Sequence, residues 1–355
     1  MKKIFGWLSL LLLLLNGCSP IGPSTITRDR FDYVASISDS WKRQMLLNLL
    51  KVRYSDAPVF MDVSSVINSY EMVGEVNLRG AAEEIGRNDL LGASIGATGR
   101  YADRPTITYQ PLSGDKFARS LMIPIPVPSI LFLIQSGYPA DMVMRVSLNS
   151  INGLDNSYGG PGNFQNGDPK FQELITAIRE SQRSGGMGMR MKTSSDRQAV
   201  VMFLRPATDA TIAGPVLKIR ELLGLNANSR EFQVIYGSYP ENDGEIAMLS
   251  RSMLQVLVDF ASYIDVPANE IAEGRVYSPQ RDAEQKELFP PLLAVHSGSS
   301  APSDAYVSVR YRNHWYWIED RDARSKQLFN FMLIMFSLTE TGSTQAAPIV
   351  TVPTR

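Results

Sequence analysis

The sequence predicts an α+β protein, and three patterns lead to this prediction. Apolar residues recur at helical spacing in Ser38–Tyr54, which is typical of an amphipathic helix. Apolar and polar residues then alternate in Val59–Arg79 and again in Ala93–Tyr109, on either side of a predicted loop at Gly80–Gly92, which is typical of antiparallel strands with one apolar face. We therefore expect an N-terminal helix, a long antiparallel hairpin and buried helices. A mixed α/β C-terminal part follows, with a Trp-rich hairpin and a final apolar helix.

The first residues have the pattern of a lipoprotein signal peptide. Lys2 and Lys3 precede the apolar run Ile4–Leu15. A run of roughly 12 residues is too short to span a membrane, which takes about 20, but it suits a secretory signal. The letters LNGC that end at Cys18 resemble the bacterial lipobox, in which cleavage precedes the cysteine and the cysteine is lipidated. The alternative is an ordinary signal peptide with an unrelated cysteine.

Lipidation also accounts for the chemistry of Cys18, which is the one cysteine of the chain. A lone thiol has no intramolecular partner in an oxidising compartment. One acyl chain gives marginal membrane binding, but a lipoprotein carries three, so attachment is permanent. Ser19 follows the cysteine, instead of the aspartate that favours inner-membrane retention in lipoproteins of enteric bacteria. We therefore expect an outer-membrane anchor, a protein that faces the periplasm, and a Gram-negative source.

Composition favours a globular protein that does not bind nucleic acid. The formal net charge is −1, and it becomes −3 when Lys2 and Lys3 leave with the signal. Nucleic-acid binding requires a basic surface, which this balance does not favour. The chain is 44% hydrophobic and 20% charged, as in folded proteins. The predicted partners are the membrane, other envelope proteins and further copies of the chain, and we predict no cofactor.

The alternating segment Val59–Tyr109 allows two interpretations. In one, its apolar face rests on a protein core. In the other, it supplies transmembrane β-strands, and one hairpin from each copy contributes to an oligomeric pore or secretion complex. Asp103 and Pro105 interrupt the apolar side, and open strand edges cannot face lipid. These two points favour the first interpretation.

The glycine- and asparagine-rich letters NGLDNSYGGPGNFQNGD are the best candidate for a domain boundary. The sequence also predicts a short tether before a helix that Ser40 caps, a helix over Ala140–Ile151 and a hairpin turn at Arg312-Asn313. The predicted division is a signal peptide at 1–17, a lipidated tether at 18–30, an N-terminal α+β domain at 31–151, a loop at 152–168, a C-terminal α+β domain at 169–340 and a loose tail at 341–355.

Candidate catalytic chemistry is sparse. The two histidines, His296 and His314, do not form a zinc-hydrolase motif on one helical face. Asp320 and Asp322 are candidate metal ligands, because paired carboxylates suit hard cations. The alternative is that they cap and charge-complement the helix that begins at Ala323.

Four segments resemble a family of uncharacterised Gram-negative bacterial lipoproteins with no established activity. They are SWKRQMLLNLLKVRYSDAPVFMDVSSVINSY, RPTITYQPLSGDKFARSL, IQSGYPADMVMRVSLNSINGL and VRYRNHWYWIEDRDARSK. The resemblance implies that the protein is located in the cell envelope, and it identifies no functional residues. We therefore expect a non-enzymatic structural, assembly or interaction role. The alternatives are the oligomeric pore and a metal-assisted periplasmic hydrolase.

Overall fold

A computed structural model shows an α+β protein. It describes residues 21–67, 70–82, 91–103, 105–160, 164–194, 197–206, 210–277 and 283–340. The helices are α1 (Ile21–Arg53), α2 (Asp115–Met122), α3 (Val127–Gln135), α4 (Ala140–Ser147), α5 (Pro169–Ser184), α6 (Ala210–Leu223), α7 (Met253–Ser262), α8 (Ala268–Ala272), α9 (Ala283–Leu288) and α10 (Ala323–Glu340).

Two strands, Tyr70–Ala82 and Leu91–Asp103, have 13 residues each, and the other described strands are shorter. The strands are β1 (Phe60–Ile67), β2 (Tyr70–Ala82), β3 (Leu91–Asp103), β4 (Thr106–Leu112), β5 (Leu148–Ile151), β6 (Leu154–Asp155), β7 (Tyr158–Gly159), β8 (Phe164–Gln165), β9 (Met187–Ser194), β10 (Arg197–Leu204), β11 (Glu231–Tyr236), β12 (Glu245–Ser250), β13 (His296–Gly298), β14 (Ala305–Tyr311) and β15 (His314–Glu319).

Helix α1 begins earlier than the sequence predicts. It starts at Ile21 and includes Ser40, so the predicted cap at Ser40 is wrong. The segment predicted as a tether is helical from Ile21 onward. Pro23 lies in the first turn, where the missing N–H would have no helical acceptor in any case. The C-terminal half of α1 packs against α7 and β14, and this half carries the predicted apolar stripe.

A six-stranded sheet has the order β6-β5-β12-β11-β10-β9. Its β11–β12 pair is parallel and its other pairs are antiparallel. The helix predicted over Ala140–Ile151 ends at Ser147, because the following residues pair with β12 as strand β5. Strand β5, which precedes residues 152–168, and strands β9 to β12, which follow them, thus belong to one sheet.

The Trp-rich hairpin and the final helix are confirmed. Strands β14 and β15 pair around Arg312 and Asn313, whose φ angles are +45° and +71°. Two consecutive positive φ angles are the mark of a type I′ hairpin turn. Helix α10 buries an apolar face that includes Phe331 and Met332.

Candidate functional site: a two-faced β-hairpin

The contact pattern separates Val59–Leu112 as a compact unit from the other described residues. This unit consists of two antiparallel pairs, β1 with β4 and β2 with β3. Among the described residues, β2 and β3 pair with each other and with no third strand. Both outer edges of the β2–β3 pair therefore carry backbone groups that this sheet does not satisfy.

The two pairs share one register. In the first ladder, Ile67 pairs with Thr106. In the second, Tyr70 pairs with Asp103. Each strand advances by three positions from one pair to the other, so the two ladders have the same register. A bulge next to Val63 is the irregularity within the β1–β4 ladder.

The register divides the β2–β3 residues into two sets, because alternate positions of a strand fall on opposite faces. The first set is apolar or glycine except for the last residue: Tyr70, Met72, Gly74, Val76, Leu78, Gly80, Ala82, Leu91, Ala93, Ile95, Ala97, Gly99, Tyr101 and Asp103. The second set contains charged and polar residues together with small apolar residues and glycines: Glu71, Val73, Glu75, Asn77, Arg79, Ala81, Gly92, Ser94, Gly96, Thr98, Arg100 and Ala102. The antiparallel pairing predicted from the alternation is confirmed, and the strands extend into the predicted loop at Gly80–Gly92, since β2 ends at Ala82 and β3 begins at Leu91.

The apolar set has the length of a membrane-spanning strand. Each strand has 13 residues, and the uninterrupted apolar part of β2 runs from Met72 to Ala82. At about 3.3 Å per residue this part is about 35 Å long. A strand tilted by about 40° would then span about 27 Å, which is close to the apolar band of about 25 Å in membrane β-strands. Tyr70 and Tyr101 occupy one end of the set, where membrane strands carry aromatic residues.

The sequence-predicted site residues lie elsewhere. Cys18 is outside the described residues. Asp322 caps α10, since it accepts hydrogen bonds from the backbone N–H of Ser325 at 3.0 Å and from the Ser325 hydroxyl at 2.5 Å. Burial raises the pKa of Asp322, but these hydrogen bonds outweigh burial and hold the pKa below its usual value. Asp320 instead pairs with Lys326 at 2.9 Å, so the two carboxylates have different partners.

The structure also brings together residues that sequence reasoning did not connect. Nε2 of His314 lies 3.6 Å from Oε1 of Glu270, whose side chain is buried. His296 lies near Glu319, at 3.9 Å, and both side chains are partly exposed. No sequence spacing links His314 to Glu270, because the pair depends on how α8 meets the β14–β15 turn. Among the described residues, no three His, Cys, Asp or Glu side chains form a group that could hold a metal ion.

A buried pair of tyrosines, Tyr54 and Tyr316, lies near the Glu270 carboxylate. The hydroxyl groups of Tyr54 and Tyr316 are 2.6 Å apart. Burial raises the pKa of Tyr316, and the hydrogen bond with Tyr54 and the charge of Glu270 raise it further. Both phenols are therefore neutral at physiological pH and act as hydrogen-bonding groups.

A second buried cluster joins two arginines to one aspartate. Asp259 and Arg251 are fully buried and their Oδ2 and Nη1 atoms are 2.8 Å apart. Nη1 of Arg145 lies 3.9 Å from the same Oδ2. The backbone carbonyl of Ser157 accepts hydrogen bonds from both arginines, and Gly159 N–H donates to Asp259 at 2.7 Å. Since the cluster is sealed from solvent, its geometry indicates a structural role.

Comparisons with known proteins give no further information about these features. No family model, curated protein or solved structure matches the chain. Within the described residues, no helix is both long enough and apolar enough to cross a membrane. The β2–β3 hairpin is the described feature with the clearest functional pattern.

Proposed function

We propose that this protein is a non-enzymatic cell-envelope component, anchored to the outer membrane through Cys18 and facing the periplasm. Its β2–β3 hairpin inserts into the membrane together with the hairpins of further copies and lines a pore. The observation that carries the proposal is the division of the β2–β3 ladder into an apolar face and a polar face.

The two faces require two different solvents. The apolar set, which includes Met72, Val76 and Leu78, is suited to hydrocarbon over the thickness of a bilayer. Glu75 and Arg79 belong to the opposite set and lie within β2, so insertion would bring their charges to intermediate depth, where a charged group is costly unless it meets water or a partner. A wall between lipid and an aqueous lumen meets both requirements.

The strand edges explain why several copies are needed. Roughly a dozen backbone N–H and C=O groups face outward from each edge of a 13-residue hairpin. Each such group costs several kcal/mol if it is unsatisfied in lipid. Neighbouring hairpins of the same sequence satisfy these groups on both edges. A single inserted hairpin would leave them unsatisfied.

A pair of adjacent single-cysteine variants tests the insertion. Val76→Cys and Asn77→Cys are neighbours on β2 but belong to opposite faces. Under the proposal, the lipidated sulfur of Cys18 is a thioether, so each variant has one reactive thiol for an environment-sensitive dye. On mixing with liposomes, we expect a strong increase in fluorescence and protection from aqueous iodide at 76. At 77, we expect a weak increase and continued quenching.

The matched positions also define the result that contradicts insertion. Equal responses at 76 and 77, or no response at either, would show that the two faces do not meet lipid and water respectively. Single-channel conductance across a planar bilayer then tests for the lumen. A hairpin that inserts without conductance would contradict the pore and leave a membrane-binding role.

A scaffold role without insertion is the second candidate, and the separate compactness of Val59–Leu112 favours it. An independent unit whose β2 and β3 edges pair with no other strand among the described residues is also suited to binding another envelope protein by strand addition. A crosslinked pull-down from envelopes, with tagged and lipidated protein, tests this role. A partner that is recovered with the intact protein and lost when the hairpin is deleted supports the scaffold role. Recovery of no partner contradicts it.

A further inference from the structure

A cleft of about 140 Å³ lies between helix α1 and a segment that includes the first residues of β14. Helix α1 contributes Asp39, Lys42 and Arg43 to its wall. The opposite wall consists of Pro302, Ser303, Ala305, Tyr306, Val307 and Ser308. The cleft therefore combines basic side chains with hydroxyl groups.

Lys42 is held in place within this cleft. Its side chain is only 18% exposed, and its Nζ lies 2.7 Å from Oδ1 of Asp39. The same Nζ lies 4.9 Å from the centre of the Tyr306 ring, at which distance the face of the ring attracts a cation. The ammonium group is thus oriented before any ligand binds.

Two further cations, Arg43 and Lys326, lie at or near the cleft. Nζ of Lys326 lies 5.6 Å from the centre of the same Tyr306 ring. The hydrogen bond from Lys42 lowers the pKa of Asp39, and the nearby charge of Arg43 lowers it further, while slight burial opposes them. Lys42 and Arg43 therefore line the cleft and Lys326 lies near the Tyr306 ring, while Asp39 and Asp320 pair with Lys42 and Lys326.

The types of donor that line the cleft suit an oxyanion such as phosphate. Charge-assisted hydrogen bonds from lysine and arginine are the strong contacts to phosphate groups, and the serine hydroxyl groups add neutral donors. We propose that this cleft binds a phosphate group, from a phospholipid headgroup or from free phosphate, through Lys42, Arg43 and the hydroxyl groups of Ser303 and Ser308. The carboxylate of Asp39, which is 60% exposed, stands in for a phosphate oxygen when no ligand is bound.

Calorimetric titration of the full lipidated protein in a non-ionic detergent tests this proposal, with two probes. One probe is inorganic phosphate, and the other is short-chain phosphatidylglycerol below its micellar concentration. We expect Lys42→Met to weaken binding about tenfold or more, because it removes a charge-assisted hydrogen bond. The matched control is Lys218→Met, which removes another ion-paired lysine, partnered by Glu173 at 3.0 Å, and should change binding less than about twofold.

The two probes separate the two sources of the phosphate group. Lys42-dependent binding of inorganic phosphate alone supports a free anion as the ligand, and tighter Lys42-dependent binding of phosphatidylglycerol supports a headgroup. No binding of either probe overturns the proposal, as does equal affinity in the wild type and Lys42→Met. Asp39→Asn removes the competing carboxylate and should raise the affinity for phosphate. A fall in this affinity would overturn the proposal that the Asp39 carboxylate takes the place of a phosphate oxygen. Thermal unfolding of each variant verifies that it is folded.

Discussion

Replacing Asp259 with alanine removes the carboxylate that faces two buried guanidinium groups. The distances to Arg251 and Arg145 are 2.8 and 3.9 Å. At an effective dielectric constant of about 20, these distances correspond to Coulomb attractions of about 6 and about 4 kcal/mol. Desolvation of all three groups offsets much of this attraction.

The net loss is expected to be smaller than the gross attraction and still large. Arg251 stays fully buried without its carboxylate partner, which typically lowers the free energy of unfolding by 3–5 kcal/mol. Gly159 N–H also loses its acceptor. Because Asp259→Asn retains an acceptor for this N–H, we expect it to cost less than Asp259→Ala but still more than about 2 kcal/mol.

Urea unfolding at pH 7, followed by tryptophan fluorescence and circular dichroism, measures both variants. Asp115→Ala is the control, because it breaks an exposed i,i+4 pair with Arg119, worth only about 0.3–0.5 kcal/mol. A loss below about 1 kcal/mol for Asp259→Ala would refute this reasoning. It would show that solvent or a structural shift compensates the two arginines.

Three further predictions concern other residues. Tyr54→Phe leaves the buried hydroxyl of Tyr316 without its partner and should lower the free energy of unfolding by about 1–3 kcal/mol in the same urea assay. Asp322→Ala removes the cap of α10 and should cost about 1 kcal/mol with no change in bound metal, measured by elemental analysis. Since the pKa of Asp322 is lowered in the folded state, this cost should be complete above about pH 5 and should shrink as the pH falls below about 4. Cys18→Ser should abolish incorporation of radiolabelled palmitate, whereas a secreted protein with an unrelated cysteine would incorporate no palmitate with or without the substitution.

Features set by neighbouring residues were predictable from the sequence. The Arg312-Asn313 turn lies between two alternating strands and adopts the expected positive φ angles. Ser252 and Gln255 form a capping box at the start of α7, which is a pattern of four consecutive residues. The alternation in β2 and β3 is confirmed by their register. In each case, the pattern and the structure involve the same short stretch of backbone.

Features that depend on distant pairing were not predictable. Leu148–Ile151 continues the apolar pattern of a helix, but pairing with β12 makes it a strand. Arg145 and Asp259 meet only because α4 and α7 both border the 157–159 segment. The contact between His314 and Glu270 likewise depends on tertiary packing. Local periodicity contains no information about which of many compatible elements will meet.

The outer edges of the β2–β3 hairpin, which pair with no other strand in the part of the chain that the structure describes, distinguish the environments that its two faces allow. A two-stranded ribbon is marginal in water by itself, so the apolar set around Val76 needs a cover. A hairpin lying flat on a membrane would bury this set and leave its polar face and edges in water, without neighbours. A hairpin that crosses the membrane must pair its edges with other strands. Crosslinking between an edge residue of β2 in one copy and an edge residue of β3 in a second copy therefore distinguishes the transmembrane arrangement from the flat one. The transmembrane arrangement requires these crosslinks in liposomes, and the flat arrangement does not produce them.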